Sequence, residues 1–291
     1  MKALYDVPAP AKLNLFLHIV GRRADGYHLL QSAFVLIDWC DTLHFELRPD
    51  GLISREDLGM TLPAQDLIVR AATALQHATG TRQGVHVCVD KHIPAQAGMG
   101  GGSSDAASTL LSLNRLWNLS LNTVQLATIG LTLGADVPFF LLGKNAWVEG
   151  VGEQLTPIEI PVTRFVVVKP PGGIPTEKIF SSPILERNSE TAIISGFVAD
   201  PVGFGRNDLQ NVAQALCPGV TQALEWLKLR GFSGRMTGSG SAVFAKFQQN
   251  MLHSQKLDNA PDGFQVRLCG SLKAHPLYGW ADSNGLSVDC I

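Results

Sequence analysis

Apolar residues recur along this chain with two periods. Leu13, Leu15, Leu17 and Ile19 alternate with Asn14, Phe16 and His18, the period-two pattern of a strand. Val85, Val87 and Val89 repeat it, and Ala33–Ile37, Leu43–Leu47, Ala146–Val151, Phe165–Lys169 and the pair Val266 and Leu268 mark further strands. Helical spacing takes over in Asp66–Gln76, which Gly80 stops. It returns from Ser104 to Asn118, where Ala106, Ala107, Leu110, Leu111 and Trp117 share a broad apolar face. Leu121–Leu131, Asn207–Leu216 and Val220–Leu229 are further helices. Pro49 to Pro63 reads as a long connection, and Leu155–Pro161 as a crossing between domains. Strands and helices alternate in no simple repeat, which is compatible with an α+β chain but does not by itself select that fold. Its 291 residues fit one large domain or two ordinary ones.

One polar stretch interrupts the pattern with four glycines in five positions: Pro94-Ala95-Gln96-Ala97-Gly98-Met99-Gly100-Gly101-Gly102-Ser103-Ser104. Glycine lets a backbone take positive φ and approach a ligand closely. Ser103 or Ser104 can cap the helix that follows, and Asp105 suits its first turn. A glycine loop running into a helix N-terminus aims several N–H groups at one spot, a ready site for an anion such as phosphate. The spacing matches neither G-x-x-x-x-G-K-[ST] nor G-x-G-x-x-G. A flexible loop that merely caps the helix has the same composition, so the residues alone leave both readings open.

Other positions are equally two-sided. Lys12 ends a Pro-rich stretch before the first strand, where an exposed lysine is the usual case. Tyr27 and His28 follow a turn glycine, as packed strand starts often do. Asp136 stands in the apolar run Leu133-Gly-Ala-Asp-Val-Pro-Phe-Phe140, where a carboxylate needs a partner or solvent. It can cap a helix or do chemistry. Pro175-Thr176 opens a short helix with Thr176 as the expected N-cap, and Phe180 reads as core. Gly231–Ala245 is strand, glycine turn, strand, with Gly238, Ser239 and Gly240 at the turn.

Taken together these segments resemble the galactokinase, homoserine kinase, mevalonate kinase and phosphomevalonate kinase (GHMP) superfamily over nearly the whole chain. Pro8-Ala-Pro-Ala-Lys12-Leu-Asn14 is similar to its first motif. Pro94–Ser104 is similar to its nucleotide loop, with Met99 where Leu is usual and one glycine more. Gly238-Ser-Gly-Ser241 is similar to its third motif. Arg23-Ala-Asp-Gly-Tyr27-His28, Gly134-Ala-Asp136-Val-Pro-Phe-Phe140 and His275-Pro-Leu277 resemble the branch that acts on 4-diphosphocytidyl-2-C-methyl-D-erythritol.

The resemblance implies a fold of two domains, residues 1–160 like ribosomal protein S5 domain 2 and residues 161–291 ferredoxin-like. It implies transfer of the ATP γ-phosphoryl group to the 2-hydroxyl of that substrate, on the non-mevalonate route to isoprenoid precursors. Asp136 would take the hydroxyl proton, with Lys12 nearby to orient the hydroxyl and favour the charged form of the carboxylate. The loop would hold ATP, and Mg²⁺ would bridge its phosphates. Tyr27 would stack on cytosine, His28 would bond to it, and Asn14, Thr176, Phe180 and the Gly238–Gly240 turn would complete the substrate site. The family often has Asn where this chain has Asp66, and an ionised Asp cannot donate, so a nucleotide contact there is open. Sister kinases share the loop but not Tyr27-His28, and a non-catalytic sensor or a binding module would need neither Lys12 nor Asp136.

Composition adds limits. A net charge near −2 argues against a general nucleic-acid binder. Cys40, Cys88, Cys217, Cys269 and Cys290 are scattered without a C-x-x-C pair, which predicts reduced core thiols in a cytosolic protein. Met1–Pro8 has no signal-peptide character, and no apolar run reaches about 18 residues. The expectation is a cytoplasmic small-molecule enzyme, monomer or homodimer, with no nucleic-acid or membrane partner.

Overall fold

The computed structural model describes residues 1–247, 257 and 259–282. Six strands build a first sheet: β1 (Ala3–Arg22), β2 (His28–Arg48), β3 (Ile53–Asp57), β4 (Gly84–Asp90), β5 (Ala146–Glu149) and β6 (Gln154–Pro157). β1 pairs with β2 along its whole length. The other edge of β2 is shared between β4, on its C-terminal part, and β5, on its N-terminal part. The predicted strands Ala33–Ile37 and Leu43–Leu47 are thus one strand, and the predicted connection Pro49–Pro63 contains β3, paired parallel to β4. Leu155–Pro161 is a crossing only after Pro157; its start, as β6, still pairs with β5.

Four helices cover one face of this sheet: α1 (Leu67–Thr79), α2 (Gly101–Leu116), α3 (Thr123–Leu131) and α4 (Val137–Leu142). Leu75, Leu110 and Phe139 pack there on Phe34, Phe45 and Val87. α1 has both ends that the sequence predicts, with the Asp66 side chain accepting from Val69 N and Gly80 in the left-handed region. For α2 the cap differs. Gly100, not a serine, is the N-cap, and Ser103 and Ser104 lie inside the first turn.

A second, antiparallel sheet has the order β10-β7-β9-β8, from β7 (Arg164–Lys169), β8 (Arg235–Met236), β9 (Val243–Phe247) and β10 (Gln265–Gly270). The remaining helices are α5 (Thr176–Phe180), α6 (Ile194–Ala199), α7 (Gln210–Leu216) and α8 (Pro218–Leu229). Val166 and Val168 pack on Val212, Val220 and Trp226 of α7 and α8. The opposite face, with Phe165, Val167 and Phe244, packs on Leu13, Leu15, Val35 and Trp147 of the first sheet. β1 is therefore buried on both faces. A register shift between Asn14 and Leu17 lets Leu15 and Phe16 reach the same cluster, which breaks the strict alternation the sequence suggests.

After β10 the chain returns to the first sheet. Ser271 bridges Ile37, His275 N donates to Gly143 O, and Leu277 joins the helical core. Burial pushes the His275 imidazole down to about 4, so it docks neutral, its Nδ1 accepting from Leu277 N. Cys40, Cys88, Cys217 and Cys269 are free thiols, but only Cys269 is buried, so the expected core position holds for that one alone. Cys290 lies outside the described residues.

Candidate active site

Two elements bring Lys12 and Asp136 together. β1 carries Lys12 beside the glycine loop, where its backbone N donates to Met99 O at 3.0 Å. Asp136 occupies the N-cap position of α4 but makes no capping bond with its side chain. Instead its Oδ2 lies 3.3 Å from Lys12 Nζ. Lys12 is only 4% exposed, and Asp136 keeps 31% of its side chain open. The ammonium is fixed from two further sides. It donates to Asn14 Oδ1 at 2.6 Å and lies 4.2 Å above the centre of the Phe34 ring. Asn14 in turn donates to Ser32 Oγ at 2.9 Å, and its backbone N donates to Thr237 Oγ1 at 2.9 Å. A buried lysine held this way is a fixed positive charge beside a carboxylate that solvent, or a hydroxyl, can reach.

The glycine loop and the Gly238–Gly240 turn form one surface. Gly98 and Gly100 have φ of 72° and 70°, and Gly238 and Gly240 have φ of 52° and 78°. Ser241 N and Ala242 N donate to Gln96 O and Ala97 O, so the two segments are joined by backbone bonds. A Cβ on Gly98 would collide with Thr237 O and stand 2.7 Å from Gly240 N. Gly101 differs: it is the first residue of α2, and an added Cβ would meet only the Ile93 side chain and the edge of Asp41. The close backbone approach therefore sits at Gly98 rather than at the middle of the glycine run.

Beneath the loop lies a buried ion cluster that the sequence did not suggest. Asp105, which the sequence suits to the first turn of the helix, is buried, and its Oδ2 accepts from Lys91 Nζ at 2.5 Å. Lys91 also donates to Asp41, a carboxylate of β2 with no exposure, which accepts from Ile93 N at 2.7 Å. Burial, with Asp41 adding to it and Lys91 opposing, pushes the Asp105 carboxyl up to about 8. Burial disfavours the Lys91 ammonium, but Asp105 and Asp41 together outweigh it and raise the group above its usual range. Ser104 Oγ and Asp105 Oδ1 have no hydrogen-bond partner among the described residues.

A cavity of about 780 Å³ collects most of the residues singled out from the sequence. It brings together Lys12, Asn14, Asp136, the loop from Pro94 to Ser103, Thr176, Phe180 and Gly238–Gly240, while Ser104, Tyr27 and His28 lie off its wall. Thr176 is not the N-cap of α5; Pro175 is, and the Thr176 hydroxyl bonds instead to Ser239 Oγ at 2.9 Å. His28 stacks obliquely on Phe180, ring centres 5.1 Å apart. Tyr27 is 65% exposed, so it is not the packed strand start that its position allows. Asp66 lines the cavity, but its carboxylate is committed to Val69 N and to Arg55 Nη1 at 2.6 Å.

The model described as "GHMP kinases N terminal domain" matches residues 66–144, and that described as "GHMP kinases C terminal" matches residues 199–262. The 4-diphosphocytidyl-2-C-methyl-D-erythritol kinase of Albidiferax ferrireducens is 69% identical over 288 residues, covering 99% of each chain. This chain belongs to the 4-diphosphocytidyl-2-C-methyl-D-erythritol kinase family. A crystal structure of a 4-(cytidine 5'-diphospho)-2C-methyl-D-erythritol kinase agrees, with a TM-score of 0.74 at 30% identity over 90% of this chain and 98% of that one. Homoserine kinase from Cytophaga hutchinsonii shares the fold, with a TM-score of 0.68 at 16% identity over 94% of this chain and 96% of that one.

For a member of the diphosphocytidyl-methylerythritol kinase family, three supporting residues were not legible beforehand. Asn207 donates to Met236 O and Gly238 O, both at 2.8 Å, and so fixes the turn that faces the loop. Arg187 donates to His28 Nε2 at 3.0 Å and to the carbonyls of Phe180, Ser182 and Leu185. It ties the end of α5 to His28 across 159 residues of sequence. Burial, then Arg187 and Arg22, lower the His28 imidazole, and an Nε2 that accepts from Arg187 leaves the proton on Nδ1. Lys91 is the third. Each acts on groups far away in sequence, so local pattern carries no sign of it.

Proposed function

We propose that this chain transfers the γ-phosphoryl group of ATP to the 2-hydroxyl of 4-diphosphocytidyl-2-C-methyl-D-erythritol, giving the 2-phosphate and ADP, a step of the non-mevalonate route to isoprenoid precursors. One observation carries the reading: the Lys12–Asp136 pair stands on the wall of one cavity whose other walls are a phosphate-type glycine loop and the Thr176–Phe180 end. Asp136 takes the proton of the hydroxyl as its oxygen attacks the γ-phosphorus and the bond to ADP breaks. Lys12 orients that hydroxyl and offsets the charge that develops between the groups. The N–H groups at Gly100–Ser103 and the α2 N-terminus bind the triphosphate. The kinase fold needs little covalent chemistry from the protein; holding the reactants in line supplies most of the effect.

The oxygen donors near the loop fit a magnesium ion, which prefers one or two protein oxygens together with phosphate oxygens. Asp105, which lines the cavity and whose Oδ1 has no partner among the described residues, is the group that would hold it on losing its proton, and the ion would neutralise charge on the transferring phosphates. We divide the chain at residue 160; the passage from β6 of the first sheet to β7 of the second supports that division. Among the described residues no helix is long and apolar enough to cross a membrane, and a cytoplasmic location suits polar metabolite substrates.

The cytidine end is what separates this reading from a sister kinase. Tyr27 is exposed and open to a base, Phe180 offers a second ring, and neutral His28 presents Nδ1–H. Stacking contributes roughly 1–3 kcal/mol per base. Tyr27→Ala should therefore raise the Kd of the diphosphocytidyl substrate by about 5- to 150-fold and leave that of ATP nearly unchanged. Calorimetric titration of both ligands reads the split. Equal damage to both would make Tyr27 a general structural residue, and some other acceptor would then fit the chain better.

A further inference from the structure

On the face of the first sheet turned from the helices, three side chains of different donor type converge. Glu56 of β3 lies directly opposite Cys88 of β4, and Ser54 opposite His86. Burial alternates along β4, so His86 and Cys88, two residues apart, share the face turned from the core. His86 Nε2 lies 3.6 Å from Glu56 Oε2, and Cys88 Sγ lies 4.0 Å from the same oxygen. All three donor atoms fall within 4.8 Å of one another. Four-coordinate zinc holds such ligands at about 2.0–2.3 Å, so its ligand atoms stand roughly 3.3–3.8 Å apart. Small side-chain adjustments reach that spacing.

We propose that Glu56, His86 and Cys88 form a binding site for one zinc-class divalent ion, with water as the fourth ligand. The donor set argues the class: thiolate, imidazole and carboxylate together suit zinc, whereas calcium and magnesium take oxygen ligands. A second feature supports it. Ser54 Oγ lies 2.8 Å from His86 Nδ1, and Arg48 Nη1, which can only donate, reaches the same oxygen at 3.4 Å. A serine oxygen that accepts from Nδ1–H leaves the Nε2 lone pair directed at the cluster, the usual support of a metal-bound histidine. The ion joins edge strand β3 to β4 through side chains as well as backbone. β3 also carries Arg55, which bonds Asp57 and Asp66 and the carbonyls of Leu62 and Pro63, so the clip acts on the strand that braces one cavity wall. Binding displaces the thiol proton of Cys88.

The test is titration of the metal-free, reduced full-length protein with Zn²⁺ against a competing chelator, repeated with Co²⁺ to read the near-ultraviolet thiolate-to-cobalt band. The wild type should take up one equivalent and show the band. Cys88→Ser should abolish the band and weaken zinc, and Ser54→Ala should keep the band while weakening zinc by about tenfold or more. Circular dichroism checks that both variants fold. Absence of saturable uptake in the wild type would overturn the proposal. So would a band and affinity that survive in Cys88→Ser, since another cysteine would then be the ligand.

Discussion

Asp136→Asn should lower kcat by about 10² or more while the Kd for ATP stays close to that of the wild type. The substitution keeps the size and planarity of the side chain and removes the only carboxylate within ion-pair distance of Lys12 among the described residues. Lys12 keeps its bond to Asn14 and its place over Phe34, so the local packing survives. On the proposed mechanism, what is lost is the group that accepts the hydroxyl proton as the new P–O bond forms. The proposed ATP site, the loop and the start of α2, lies on separate elements, so ATP binding should not follow kcat. Steady-state kinetics with the diphosphocytidyl substrate gives the first number and calorimetry the second. A variant with near-normal kcat would remove Asp136 from the chemistry and leave it as an N-terminal residue of α4.

Gly98→Ala should weaken ATP by about 5- to 150-fold, the equivalent of the roughly 1–3 kcal/mol that a strained backbone residue costs. Two effects combine at this position. Its φ of 72° disfavours any residue with a Cβ, and that Cβ would stand 2.7 Å from Gly240 N, a backbone atom of the facing turn. The loop can relieve the clash only by separating from the Gly238–Gly240 turn. Gly101→Ala is the contrast. The glycine count alone makes Gly101 look like the sensitive centre of the loop, but it is helical and its nearest neighbour would be the Ile93 side chain at 3.0 Å. It should cost less than Gly98→Ala. Calorimetric ATP binding by folded Gly98→Ala equal to the wild type would take the phosphate site away from this loop.

Where local pattern determines structure, the sequence was readable. Asp66 before a helical repeat and Gly80 after it gave both ends of α1, and the valine alternation gave β4. The motif residues Lys12 and Asp136 could be picked out only by resemblance, and their pairing at 3.3 Å needed the fold. β3 escaped because Ile53-Ser-Arg-Glu-Asp57 has no apolar alternation: it lies at the sheet end, half-exposed, and its Arg55 works through carboxylates and carbonyls instead. Thr176 and Asp105 show the other limit. Both residue types favour helix starts, and both were expected there. Thr176 instead meets Ser239, and Asp105 meets Lys91, because chain segments distant in sequence converge on the cavity. Tertiary partners override local preference at the places where a site is assembled.

The central claim is the identity of the phosphoryl acceptor, and enzyme-coupled ADP release tests it most directly. Purified protein with ATP and magnesium is offered 4-diphosphocytidyl-2-C-methyl-D-erythritol, homoserine or mevalonate in parallel. The geometry of the Tyr27–His28–Phe180 end predicts substrate-dependent ADP release with the diphosphocytidyl compound and background release with the other two. Turnover of homoserine or mevalonate, with none of the diphosphocytidyl compound, would contradict it.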